Sequence, residues 1–250
     1  MDLSEYDMKY VLVKDIYGET FSGLVHYAGG DFLECEYGGD EDGIFIDDFL
    51  IYNSQIESIR ETEVHGTAEM WTENLVLRRY RPEDAGQLYE KFGRDPEMYK
   101  YSGWNPFETP EMARETVQRF IDGYADEHAY SWVMDLEGIL VGTIGAYDYE
   151  NGRIEVGYSV CRRWQGRGFA TEALKRVLEY LLENEGMQCV TAWCAGENAG
   201  SRKVLEKAGM KLVRTEKNGI KTGDKLCDKL IYEINTGDIG REGANGIRSI

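Results

Sequence analysis

Residues Arg162–Ala173 read RRWQGRGFATEA: two arginines, then two glycines one residue apart, at the threshold of an amphipathic run. Glycine is a poor helix former, so a glycine pair at that place marks a backbone at positive φ or in close approach to something else. Ala173, Leu174, Val177, Leu178, Leu181 and Leu182 follow at helical spacing and predict a helix that ends near Gly186. Free amides at its N-terminus and the positive end of its dipole suit a diphosphate, and the arginines add charge. A Walker loop is excluded, because Gly-Lys-Ser/Thr is missing. A dinucleotide fingerprint needs its glycines directly after an apolar strand, and here the polar CRRWQ and a hairpin intervene. What remains is a pyrophosphate loop fed by an antiparallel sheet.

Working outward, Ser131–Val160 reads as three strands with turns at Glu137-Gly138 and Asn151-Gly152, the latter a favoured hairpin dipeptide. On the other side, CVTAWCA (Cys189–Ala195) reads as a strand, Asn198–Ala208 as a helix closed by Gly209, and two strands follow around KLVRTEK and DKLIYEI. Further upstream LVLRRY (Leu75–Tyr80) is strand-like. Pro82-Glu83-Asp84 starts a helix over Ala85–Phe92, and Thr109-Pro110-Glu111 opens a longer one with Ala113, Val117, Phe120 and Ile121 on its apolar side. This sets a domain over residues 71–235, a linker over 62–70, and a Gly-rich polar tail over 236–250 that is expected to be disordered.

Residues 1–61 are of another kind. YVLVKD, ETFSGLVHYA, DFLECEY, GIFIDDFLIY and QIESI are short β-like runs separated by Gly-containing turns. They predict a small all-β barrel of SH3-like or Sm-like pattern. Its charge is strongly negative, with about 16 acidic against about 3 basic residues up to His65, out of a net −18 for the 250-residue chain. Such a surface repels nucleic-acid phosphates and anionic lipid, so an RNA-binding role is disfavoured and a protein partner for the barrel is preferred. Five cysteines without a CxxC pair, together with three histidines, suggest no metal site. No apolar run reaches the ~20 residues of a membrane span, and MDLSEYDMKY has no signal-peptide pattern, so the expected location is the cytoplasm.

Four segments in register now carry a resemblance. ENLVLRRYRPEDA (Glu73–Ala85), LVGTIG with IEVGYSV, RRWQGRGFATEA, and ENAGSRKVLEKAGM (Glu197–Met210) resemble the Gcn5-related N-acetyltransferases, in the RimJ/RimL-like branch that includes the ribosomal-protein N-terminal acetyltransferases. The resemblance covers roughly residues 71–234. It implies an α+β fold with a mixed, mostly antiparallel central sheet flanked by helices, and direct transfer of an acetyl group from acetyl-CoA to an amine. It also implies roles for residues. The backbone of Tyr158, Ser159 and Val160 would hold pantetheine and polarise the thioester carbonyl. Arg163, Gln165, Gly166, Arg167, Gly168, Phe169 and Ala170 would bind the pyrophosphate, and Asn198 the pantetheine arm. Ser201 would protonate the leaving thiolate, and Glu155 would accept the amine proton.

The residues themselves leave alternatives open. Strand alternation puts Glu155 and Gly157 on one face and Ile154 and Val156 on the other; Glu155 is a general base or a solvated strand carboxylate. Ser201 is an acid or a helix-start hydrogen-bonding group. YKYSGWNPFETP (Tyr99–Pro110) and Tyr147-Asp148-Tyr149 are candidate acceptor walls or packing residues. Cys161 and Cys194 read as core rather than as acyl carriers. The acceptor is expected to be a cationic small-molecule or peptide amine, with a homodimer left open. The rival reading is an acetyl-CoA-binding sensor without transfer activity.

Overall fold

The computed structural model describes residues 1–7, 9–46, 49–61, 66–101, 107–124, 126, 128–222 and 225–238. The chain divides into two compact units, Met1–Ala68 and Glu69–Ile250. No helix among the described residues is long and apolar enough to cross a membrane.

In the first unit Val11 and Val13 alternate inward from β1 (Tyr10–Asp15) and meet Val25 of β2 (Thr20–Ala28), Ile44 and Ile46 of β3 (Gly43–Ile46), Ile51 of β4 (Phe49–Tyr52) and Ile56 of β5 (Ile56–Glu61). The buried Asp15 ends β1 by accepting the amides of Tyr17 at 2.9 Å and Glu19 at 2.8 Å, which turns the chain into β2. The strands form one antiparallel sheet in the order β4-β3-β2-β1-β5. β4 and β5 are its opposite edges, and no pairing closes them into a barrel among the described residues.

DFLECEY, expected as a strand, lies in a helix, α1 (Gly30–Tyr37). Leu33 is its one buried residue, so it has no alternating face to give a sheet. The glycines around it act as helix punctuation instead: Asp42 accepts the Gly30 amide at 2.8 Å, and Gly38 at φ 74° turns the chain out. The run GIFIDDFLIY supplies two strands rather than one, with residues 47 and 48 outside the described set.

The second unit is built on an eight-stranded sheet. Its strands are β6 (Met70–Trp71), β7 (Val76–Arg78), β8 (Tyr130–Leu136), β9 (Ile139–Glu150), β10 (Arg153–Val160), β11 (Cys189–Ala195), β12 (Lys211–Thr222) and β13 (Lys225–Asn235). Their order is β12-β13-β11-β10-β9-β8-β7-β6, antiparallel throughout except for β10 beside β11. Met70, expected in the linker, is thus in a strand. Glu137 and Gly138, and likewise Asn151 and Gly152, all take positive φ, which matches the hairpin turn that right-twisted strands need. A parallel neighbour requires a crossover, and α4 (Phe169–Glu179) supplies it with Ala173, Leu174, Val177 and Leu178 buried.

Three further helices lie among the described residues of the unit: α2 (Asp84–Leu88), α3 (Pro110–Gly123) and α5 (Ala199–Lys207). The helix predicted over residues 85–92 is α2 followed by a wider turn over Tyr89–Gly93. Thr109 caps α3 with its side chain, and Ala113 and Val117 of that helix join Leu88, Phe92, Met98 and Phe107 in the core. Arg78 is buried between Asp84 and Asp135, with bonds of 2.7 to 2.8 Å to both, and so ties β7, α2 and β8 together. Burial opposes its charge, but the two carboxylates outweigh burial and hold the guanidinium ionised. Residues 236–238 form a short helical turn; the rest of the expected tail lies outside the described residues.

Candidate active site

β10 and β11 pair at Arg153↔Cys189, Ile154↔Val190 and Glu155↔Thr191, and there their ladder stops. β10 stays with β9 as far as Val160, while β11 stays with β13 as far as Ala195. The sheet therefore parts in its middle. The Cys161 amide donates to Val141 O at 2.9 Å, so by alternation Gly157 and Ser159 turn their main-chain groups to β9, and Tyr158 and Val160 turn theirs into the gap. The Val160 carbonyl accepts from Gln165 Nε2 at 3.0 Å.

Side chains follow the same alternation and sort onto the two faces of the sheet. On one face, Glu155 accepts from Trp193 Nε1 at 2.9 Å and from the Tyr147 hydroxyl. A Cβ on Gly157 would lie 2.5 Å from that hydroxyl, so the residue must be glycine for Tyr147 to lie across the strand. β9 carries one extra residue opposite β10 here, and Asp148 sits in the bulge at φ 55°. Lys229 lies 4.9 Å from the centre of the Trp193 ring. Burial raises the pKa of Glu155 above its ordinary value, against the bond from Trp193 and the nearby Lys229 ammonium, with the Asp148 charge adding to the rise.

On the other face, the Tyr158 hydroxyl lies 2.9 Å from Ser201 Oγ and 3.3 Å from Ser201 O. Ser201 does not cap its helix. Asn198 does, accepting the Ser201 amide at 3.0 Å, which leaves the serine hydroxyl for other partners and the Asn198 amide nitrogen as a donor. Ser201 also bonds the Cys194 thiol, which burial pushes up to about 11; burial pushes Cys161 up to about 12. Both remain thiols at neutral pH and are poor nucleophiles, in keeping with the core reading.

The glycine loop sits where β10 leaves the sheet. Arg162–Trp164 form one tight turn, and Gly166 and Gly168 then take φ 77° and 94° with open space around both α-carbons. Backbone conformation, not crowding, requires the two glycines. Gly168 caps α4 through its carbonyl, which accepts from Thr171 and Glu172, so the Phe169 and Ala170 amides stand at the open helix end. Arg163 and Arg167 flank Trp164, with their guanidinium carbons 5.5 Å and 4.6 Å from the ring centre. Glu172 holds the first turn of α4 to the β6–β7 connection, accepting from Thr72 at 2.5 Å, Asn74 N at 2.7 Å and Asn74 Nδ2 at 3.0 Å. Burial would raise this carboxylate, but those bonds prevail and lower it.

Glu155 and residues 158–160 thus lie on β10, Arg163 and residues 165–168 in the glycine loop, Phe169 and Ala170 in the first turn of α4, and Asn198 and Ser201 at the start of α5, while Tyr147, Asp148 and Tyr149 lie on β9 and Cys194 on β11. The acceptor-wall stretch is divided. Tyr99 donates to Phe92 O at 2.7 Å and Phe107 is buried in the core, while residues 102–106 lie outside the described set. Trp193, Glu172 and the Tyr158 side chain were not foreseen. Parity alone would have put Tyr158 on the face opposite Glu155; Trp193 reaches Glu155 from 38 residues away, and Glu172, itself inside RRWQGRGFATEA, finds its partners Thr72 and Asn74 in a distant segment.

Residues 74–211 match the family model for an acetyltransferase (GNAT) domain. The chain is 30% identical over 169 residues to the uncharacterized N-acetyltransferase p20 of Bacillus licheniformis, covering 66% of this chain and 94% of that protein. An acetyltransferase (GNAT family) structure from Bacillus anthracis is similar at a TM-score of 0.60 and 27% identity, covering 68% of this chain and 99% of that one. The ribosomal-protein-S5-alanine acetyltransferase of Vibrio fischeri shares the fold at a TM-score of 0.62 and 18% identity, over 68% of this chain and 98% of its own.

Proposed function

Since the chain belongs to the GNAT acetyltransferase family and is an acyltransferase, we propose that it takes the acetyl group of acetyl-CoA and transfers it directly to a cationic amine at the parting of β10 and β11. The observation that carries this reading is the gap itself, with the main-chain groups of Tyr158 and the amide of Val160 turned into it from β10 and a carboxylate and a hydroxyl on opposite faces. The chain fits acetyl-CoA. The amides of Gly166, Arg167, Gly168, Phe169 and Ala170, with Arg163 beside them, take the pyrophosphate. Tyr158 presents its main-chain groups and Val160 its amide to pantetheine and the thioester carbonyl, while Ser159, whose main chain is paired with β9, keeps only its side chain for that role; Asn198 donates to the pantetheine arm. Gln165 shapes the entrance through its bond to Val160 O.

Glu155 is the base. Its raised pKa brings it nearer to that of the proton it must accept, and Tyr147 and Trp193 fix its carboxylate. Ser201 lies on the opposite face and serves the leaving sulfur. Asp148 and the aromatic rings on the Glu155 side favour an acceptor that arrives as an ammonium. The motifs favour the RimJ/RimL-like branch, hence a protein N-terminus or a small amine of similar charge. We read residues 1–61 as an SH3-like open barrel that takes a protein partner. The strand order and the helical turn at Asn53–Gln55 between β4 and β5 support the SH3-like part of this reading, and the acidic charge of the segment favours a protein over a nucleic-acid partner.

Release of free thiol from acetyl-CoA with a panel of peptides, polyamines, amino acids and aminoglycosides, beside calorimetry of acetyl-CoA alone, tests the reading. Acceptor-dependent release supports it; tight binding without release across the panel would favour a sensor, and no binding would overturn the assignment of the glycine loop.

A further inference from the structure

Two hydroxyls meet on the face of the gap opposite the base. Ser201 Oγ is 2.9 Å from the Tyr158 hydroxyl, and neither oxygen is used for a helix cap, because Asn198 performs that task. Tyr158 stems from the strand at the edge of the gap, Ser201 from the first turn of α5, and both side chains are half-buried. A lone serine is a weak acid, whereas a serine that receives a proton as it gives one need never become an alkoxide.

We propose that Tyr158 is a second catalytic hydroxyl, which passes its proton through Ser201 to the departing thiolate; this rests on the transferase reading above. The balance is as follows. The acceptor ammonium first loses one proton through Glu155 to water; the neutral amine nitrogen then forms its bond to the acetyl carbon and its surplus proton goes to Glu155. The carbon–sulfur bond breaks with its electron pair on sulfur, sulfur takes the Ser201 proton, and Ser201 Oγ takes the proton of Tyr158. The tyrosinate recovers a proton from water, and Glu155 returns one to water. Burial raises the pKa of Tyr158, so the hydroxyl is protonated before each turnover. Base and acid thus approach the reacting carbon from opposite faces of one sheet, which keeps the two protons apart.

The test is a double-mutant cycle on an acceptor-dependent assay. Tyr158→Phe, which keeps the ring, and Ser201→Ala should each lower kcat about 10²-fold with KM for acetyl-CoA unchanged, and the double variant should be no slower than the slower single variant. Multiplicative losses, or wild-type turnover in Tyr158→Phe, would overturn the relay. A second measurement needs no acceptor: the thiol pKa of bound CoA, followed by thiolate absorbance, should rise by about one unit in Ser201→Ala and in the same direction in Tyr158→Phe. If both variants bind CoA with its thiol pKa unmoved, the relay fails while the transferase reading stands. If the thiol pKa moves but the wild-type protein acetylates nothing, the transferase reading fails and the hydroxyl pair remains a thiol-binding device.

Discussion

As the proposed base, Glu155 combines partial burial, a carboxylate held by Trp193 and a neighbouring negative charge at Asp148. The sign of its pH dependence follows. Protonated Glu155 cannot accept the amine proton, so activity rises with pH through its pKa, which lies above the ordinary carboxylate value because of burial first. Glu155→Gln should lower kcat about 10²-fold, leave acetyl-CoA affinity unchanged and abolish that acidic limb; a retained limb in the pH–rate profile would assign it to another group. The strand parity of Glu155 was legible in the sequence, because alternation along RIEVGYSV is a local property. Its hold by Trp193 was not, for the indole lies 38 residues away and arrives through the parallel pairing of β10 and β11. The Tyr158 hydroxyl was half legible: parity gives its face, but only the docking of α5 brings Ser201 to it.

At the scale of elements, hairpins and caps were the most readable parts. Asn151-Gly152, Thr109 before Pro110, and Gly209 after α5 each act within a few residues, and each does what its local chemistry dictates. α1 was misread because Phe32, Leu33, Cys35 and Tyr37 look apolar enough for a strand, whereas burial in the fold is confined to Leu33. The glycine loop offers a clean test of conformation against space. Gly168→Ala meets no atom within 4 Å, yet forces an alanine to φ 94°. A left-handed non-glycine residue costs about 1–2 kcal/mol, so calorimetry should show acetyl-CoA binding weakened about five- to thirtyfold. Gly86→Ala, in the helical interior of α2 with equally open surroundings, should leave binding unchanged. The junction of β7, α2 and β8 is the converse case, where charge and not φ is critical. Arg78→Ala would leave Asp84 and Asp135 buried without their cation and should destabilise the second unit by about 3–5 kcal/mol, read from its denaturant transition.

For the molecule as a whole, the net charge of −18 acts before any contact is made. An acidic protein concentrates cations near its surface, and salt screens that attraction over about 8–10 Å. The kcat/KM for a cationic acceptor should therefore fall as ionic strength rises from 10 to 200 mM, while that for a neutral amine should change little; equal salt dependence would remove steering from the account. In the sequence the hydrophobic period and charge shift near residue 62; in the fold the two compact units divide between Ala68 and Glu69. Closure of the first sheet was not legible, because strand order depends on long-range pairing that composition does not encode.

The parting of β10 from β11 has a consequence for the protein when it is empty. A ladder that opens in the middle of a sheet creates two new edges, and an edge is where a stray extended segment from another molecule can add itself and begin aggregation. Here Gln165 occupies the Val160 carbonyl with its own amide, so the last rung on the β10 side is already spoken for. The side chain proposed to shape the entrance for a narrow, flexible substrate arm thereby also takes one rung away from any intruding polypeptide strand.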